Sequence, residues 1–266
     1  MTTDPVPSGT PRASCVRANN PGPYTLAGTN TWILGEPGAA RVVVVDPGPD
    51  LPEHLEALLA AVAESGRRVG QILLTHGHPD HAEGAAALAA ATGSPVLALD
   101  SRHQLGSSGL TDGQVIELDG LEIRVIATPG HTADSLSFLL AADAALLTGD
   151  TVLGYGTSVV AHPDGRLADY LSSLARLQEL VTAERVGVAL PGHGPGLVGN
   201  VGEVLAGYVA HRAARLEQVR AAVSAGATTP ADVVAVVYQD VDRSLWPAAE
   251  LSVAAQLHYL RESTVD

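Results

Sequence analysis

Lysine is missing altogether: arginine supplies all 15 basic side chains, set against 29 acids for a formal net charge of −14. Affinity for phosphate backbones grows with clustered basic groups, so this balance argues against broad nucleic-acid binding, and no duplex DNA is expected as a partner. A local arginine-lined groove stays open. Cysteine is nearly absent too. Cys15 stands alone, which excludes an internal disulfide, and beside a proline-rich stretch it carries no catalytic expectation. No long apolar run occurs, and residues 1–11 lack the basic start and apolar centre of a signal peptide. The expectation is a cytoplasmic protein with no membrane partner. What is present, 266 residues at 46% hydrophobic content, suffices for one large core and a small appendage.

The chain is organised around residues 71–81. Ile72, Leu73 and Leu74 read as a buried strand that stops at Thr75, and His76 opens the loop beyond it. His76 and His78 lie two apart, so in extended backbone their side chains leave one face. Pro79 suits the first position of a helix, with Asp80 and His81 in its opening turn. Imidazoles and a carboxylate with no thiol nearby suit zinc first, with iron or manganese possible. Three histidines and an aspartate within six residues are dense for a merely polar helix entrance.

Other strands end in the same way. After a tail expected to be flexible over residues 1–15 and a turn-rich segment over 20–30, strands are predicted at 31–34 and 41–45. The second stops at Asp46, which either caps a turn or supports a ligand histidine from behind. A helix follows over 51–65, with His54 on its exposed face, then a helix over 82–91 and a strand over 95–99. Asp119 and Gly120 signal a tight hairpin between 114–118 and 121–126, and the second strand runs into Thr128, Pro129, Gly130 and His131. Strands over 135–140 and 144–147 lead to Gly149 and Asp150. A helix over 167–181 and a strand over 186–190 lead to Gly192 and His193. From Glu203 onward the pattern is helical, with five arginines against eight acids, and it offers no basic DNA-reading helix. The expected domains are therefore 16–200 and 201–266.

His76, His78, Asp80, His81, His131, Asp150 and His193 are too many ligands for one zinc, and suit two divalent ions sharing a carboxylate. The natural division sets His76, His78 and His131 on one ion and Asp80, His81 and His193 on the other, with Asp150 between. Two such ions hold a bridging water and lower its pKa from about 15.7 towards about 7, giving a hydroxide nucleophile. Asp80 and Asp150 are the expected catalytic carboxylates, Asp80 ferrying a proton to the leaving group.

The runs Thr75-His76-Gly77-His78-Pro79-Asp80-His81, Thr128-Pro129-Gly130-His131, Thr148-Gly149-Asp150 and Pro191-Gly192-His193-Gly194 resemble the metal-site signatures of the metallo-β-lactamase superfamily. That resemblance implies an α/β protein, an αββα sandwich. Residues 20–31, 149–154 and 208–212 with Arg215 resemble the β-lactamase-like protein 2 family, from about Asn19 to near the end. This second likeness implies a small C-terminal helical, winged-helix-like module, and single-stranded RNA as a substrate, since a eukaryotic member cleaves it. Antibiotic-degrading members are exported and commonly lack an aspartate at the position of Asp150, so true β-lactamase activity is not expected.

The reading is thus a binuclear metal hydrolase, acting on single-stranded RNA or on a small ester or thioester. A non-catalytic interaction module would be expected to lose at least one ligand, and none is missing. Arg212 and Arg215, one helical turn apart, could touch a phosphate, but pairing with acids inside the tail is the expectation. His103, His162, His211 and His258 are read as packing residues rather than ligands, since His103, His162 and His258 follow no glycine-flanked strand end. The loop over 155–165 is expected to border the cleft. Nothing in the sequence sets an oligomeric state.

Overall fold

In the computed structural model, which describes residues 8–262, the chain builds two sheets face to face with helices on both outer sides. The first sheet takes β1 (Ala13–Arg17), β2 (Asn30–Leu34), β3 (Arg41–Val45), β4 (Arg68–Leu73) and β5 (Val96–Leu97), in that order. Helices α1 (Pro52–Glu64), α2 (Pro79–Ala82) and α3 (Gly84–Thr92) lie between its strands in sequence. The second sheet holds β6 (Val115–Leu118), β7 (Leu121–Ala127), β8 (Leu136–Leu140), β9 (Ala145–Gly149), β10 (Val188–Pro191) and β11 (Leu197–Val198), ordered 11-10-9-8-7-6. Helix α4 (Leu167–Ala183) connects β9 to β10, whose pairing is parallel.

The valine run of β3 shows why its sequence is apolar throughout. Successive side chains alternate between faces. Val43 and Val45 join the layer between the sheets with Trp32, Phe138 and Leu147, while Val42 and Val44 pack outward under Leu58 and Leu88. Both faces of the strand, which pairs antiparallel with β2 and parallel with β4, are covered. On the opposite side Leu139, Leu146 and Ala189 are covered by Leu174 and Leu177 of α4. The αββα sandwich expected from the motifs is the fold observed.

Three helices follow: α5 (Val201–Ser224), α6 (Pro230–Val237), which opens with a Thr229–Asp232 capping box, and α7 (Trp246–Glu262). Helix α5, which begins at the expected division at 200/201, contributes to two cores. Val201, Leu205 and Tyr208 of α5 belong to the layer under α4, whereas Val219 and Ala222 of the same helix join Val233, Val234 and Val253 in a smaller core.

Two expectations are corrected. The flexible tail over 1–15 gives way by Ala13, because Ala13–Arg17 pairs antiparallel with β2; residues 1–7 lie outside those described. Burial in that strand pushes the Cys15 thiol up to about 12, so it stays protonated. His54 is buried rather than exposed, its Nε2 lying 2.9 Å from Thr31 Oγ1, and burial lowers its pKa to about 4. Helical spacing alone gave no sign of a hydroxyl arriving from β2.

Candidate metal centre

The two sheets bring their ligand-bearing ends to one edge. β4 ends at Leu73, and Leu74 and Thr75 lead into the loop that carries His76 and His78; α2 begins at Pro79 and places Asp80 and His81 in its single turn. β7 ends at Ala127 four residues before His131, β9 ends at Gly149 beside Asp150, and β10 ends at Pro191 two residues before His193. All seven sequence-predicted residues converge. Three groups form, each with its ligand atoms within 4.8 Å of one another: His76, His78 and His131; His76, His81 and Asp150; Asp80, His81 and His193. Close approach requires glycine at Gly192, where a Cβ would stand 2.5 Å from Asp150 Oδ1 and 2.7 Å from His81 Cε1.

Four of the five rings are held from behind. His81 Nδ1 donates to Asp46 Oδ2 at 2.9 Å, His131 Nδ1 to the Val159 carbonyl at 2.6 Å, and His193 Nδ1 to the Gly28 carbonyl at 3.3 Å. Thr75 gives its hydroxyl proton to Asp46 Oδ2 at 2.7 Å, so its oxygen accepts from His76 Nδ1 at 3.0 Å. These outer bonds orient the four rings with Nε2 facing inward, whereas His78 turns its Nδ1 inward. Asp46 thus does both things its position suggested, since it also accepts the Thr75 N–H at 2.8 Å and shapes the turn. The carbonyls behind His131 and His193 had no signal in the sequence, because a backbone oxygen carries no residue-type signature.

Inward, the donors crowd. His78 Nδ1 lies 3.0 Å from both His76 Nε2 and His131 Nε2, and His81 Nε2 lies 3.2 Å from His193 Nε2. Asp150 Oδ2 is 3.3 Å from His193 Nε2, and its buried Oδ1 has no hydrogen-bond partner. Lone pairs turned on one another with an orphaned carboxylate oxygen between them fit divalent cations, and nitrogen and oxygen donors fit zinc, iron or manganese.

The electrostatics agree. Burial opposes charge on His81, yet Asp150 and Asp46 raise its pKa well above the usual imidazole value; His193, with the same burial opposed by Asp150 and Asp80, reaches about 9. Asp150, for which burial favours the neutral acid, is held well below the carboxylate range by His81 and His193, and Asp80 falls to about 2 against its own burial through His193 and His81. His76 and His131 are pushed down, first by burial and then by neighbouring imidazoles. The two carboxylates draw positive charge into a place where two rings are kept neutral.

Over the donors opens a cavity of about 630 Å³ bordered by Tyr24, Leu26, Leu153, Tyr155, Val159 and Leu251, so the loop over 155–165 does border the cleft. Leu251, from α7, is a wall residue that the sequence did not flag. Arg212 and Arg215 depart from expectation: neither pairs with an acid among the described residues. Arg212 is buried, stacks on Tyr170 at 4.8 Å and donates to the Ser158 carbonyl; Arg215 lies over Tyr238 at 4.2 Å.

Paired sheets flanked by helices, with imidazoles and carboxylates gathered at the strand ends, define a class of α/β sandwich folds that can hold metals at one edge. The chain belongs to the metallo-beta-lactamase superfamily, whose model matches residues 24–193, and the beta-lactamase associated winged helix domain matches 229–263. It is 34% identical over 211 residues to the beta-lactamase-like protein 2 homolog of Caenorhabditis elegans, covering 77% of this chain and 68% of that protein. It is 33% identical over 202 residues to thioesterase pkgB of Emericella nidulans, covering 76% of this chain and 56% of that one. The solved structure of a metallo-beta-lactamase family protein from Thermus thermophilus matches with a TM-score of 0.79 at 25% identity, over 96% of this chain and 94% of its own. The expected resemblance and the C-terminal winged-helix module are both borne out. No described helix is long and apolar enough to cross a membrane.

Proposed function

We propose that this protein is a metal-dependent hydrolase of esters or thioesters with an apolar acyl part. The observation that carries the reading is the cavity lining. Tyr24, Leu26, Leu153, Tyr155 and Leu251 surround the approach to the donors, and among the described residues no arginine lines it. A single-stranded RNA substrate, the first expectation from family resemblance, draws affinity from a positively charged groove along its backbone. The similarity to a relative named as a thioesterase supports the same choice.

In this reading His76, His78 and His131 hold one ion, Asp80, His81 and His193 a second, and Asp150 lies between them. Zinc suits the donors first, with iron or manganese accepted by the same set. When bound, such ions supply Lewis acidity at the scissile carbonyl and make water acidic enough to attack near neutral pH. The chain does the rest. Asp46, Val159 and Gly28 hold the ligand rings in register, and the apolar walls exclude bulk water and seat the acyl chain. The Asp80 side chain, 26% exposed against 10% for Asp150, reaches the cavity; its Oδ2 can take up a proton and pass it to the leaving group.

The test is hydrolysis of an acyl-thioester series by metal-loaded protein beside a labelled single-stranded oligoribonucleotide. The expected result is thioester turnover that a chelator abolishes, that added ions restore and that Asp150→Ala lacks. RNA cleavage without thioester turnover would reverse the assignment. Turnover retained by fully metal-free protein would reject the metal reading altogether.

A further inference from the structure

A second hollow, of about 250 Å³, shares Pro23, Tyr24 and residues 157–159 with the wall of the larger cavity. Its other side is made by α5, Tyr238 and α7, and it presents Arg212 and Arg215 with no carboxylate among its lining residues. In a chain of net charge −14 such a place is exceptional. Buried charges are normally paired. Arg212 is 7% exposed, has no ion pair among the described residues, and its buried Nε has no hydrogen-bond partner. Arg215 spends Nη1 on Gln218 Oε1 and the Val237 carbonyl, leaving Nε and Nη2 without partners among the described residues. Two guanidiniums therefore line a largely apolar recess, adjoining the donor site, that holds no counter-ion for them among its lining residues.

We infer that this recess is an anion subsite, and that the substrate carries a phosphate or carboxylate on its thiol or alcohol portion while its acyl portion occupies the apolar cavity. The inference deepens the hydrolase reading and rests on it. A planar guanidinium with two free N–H groups suits a bidentate oxyanion, and the Tyr238 ring beneath Arg215 fixes its plane. The C-terminal helices then take part in substrate choice as well as in stability.

Metal-loaded protein is assayed on matched acyl thioesters whose thiol is neutral, carboxylated or phosphorylated. Binding of the phosphorylated methyl thioether, which cannot be hydrolysed, is followed by calorimetry. We expect kcat/KM to favour an anionic thiol by about tenfold or more, this ratio to fall about tenfold in Arg215→Ala and to invert in Arg215→Glu. Whichever anion shows the larger ratio identifies the group recognised. Thioether affinity should fall in parallel, with an unchanged melting temperature. A ratio and an affinity that do not move in either variant overturn the inference, as does an Arg215→Glu effect confined to oligoribonucleotide cleavage. Thioether binding that depends on Arg215 in a protein that turns over no thioester keeps the subsite and rejects the hydrolase reading.

Discussion

Asp46 lies in left-handed backbone at φ 53° just past β3, and its carboxylate holds the Thr75 amide, the Thr75 hydroxyl and His81 Nδ1 together. Asp46→Asn keeps the shape but loses the charge that raises His81 basicity. We expect metal affinity, measured by chelator competition, to drop roughly 10–100-fold; an unchanged affinity would show that His81 needs no support. His54 is a residue of a different kind, neutral by burial. Its folded pKa, about 4, lies below the ordinary value of 6.5, so as pH falls the unfolded chain takes up the proton first. Its contribution is intact above pH 6.5 and is lost as pH falls towards 4, at about 1.4 kcal/mol per pH unit relative to His54→Gln. Urea denaturation of both proteins at pH 7, 6 and 5 reads this, and parallel curves would refute it. The burial of His54 is not legible in the sequence, because helical spacing places a residue on its own helix but cannot show what another strand brings to it.

At the level of elements, the ligands were legible because every one follows an apolar run that stops at glycine or a small polar residue. A strand end is a fixed point, and a sandwich brings such points to one edge. The packing of α4 and α5 on the loop after Asp150 was not legible, since a tyrosine at helical spacing reads only as core. Tyr170 donates its hydroxyl to the Thr151 carbonyl at 2.7 Å, and Tyr208 accepts the Leu153 N–H at 2.9 Å, so two helices fasten one loop. Tyr208→Phe leaves that buried N–H unpaired. The expected cost is about 1–3 kcal/mol by denaturant unfolding, accompanied by a fall in kcat as Asp150 loosens. Unchanged stability and kcat would mean that the loop holds its shape without α5.

For the molecule as a whole, sequence reading reached the sandwich, the helical C-terminal module and all seven converging side chains. It missed how the parts share surfaces. α5 enters both cores and Leu251 of α7 walls the cavity, so the module is continuous with the site it borders. The pairing expected for Arg212 and Arg215 failed because helical spacing places them near acids in sequence, whereas the fold turns Arg212 to the Ser158 carbonyl of a sandwich loop and Arg215 to Val237 and Tyr238 of the module. The central claim is that seven side chains hold a pair of cations for hydrolysis. Its most direct test is an anomalous-scattering map of crystals of metal-loaded protein. Two peaks are expected, one among His76, His78 and His131 and one among Asp80, His81 and His193, with Asp150 reaching both. A single peak, or ions bound only elsewhere, would contradict it.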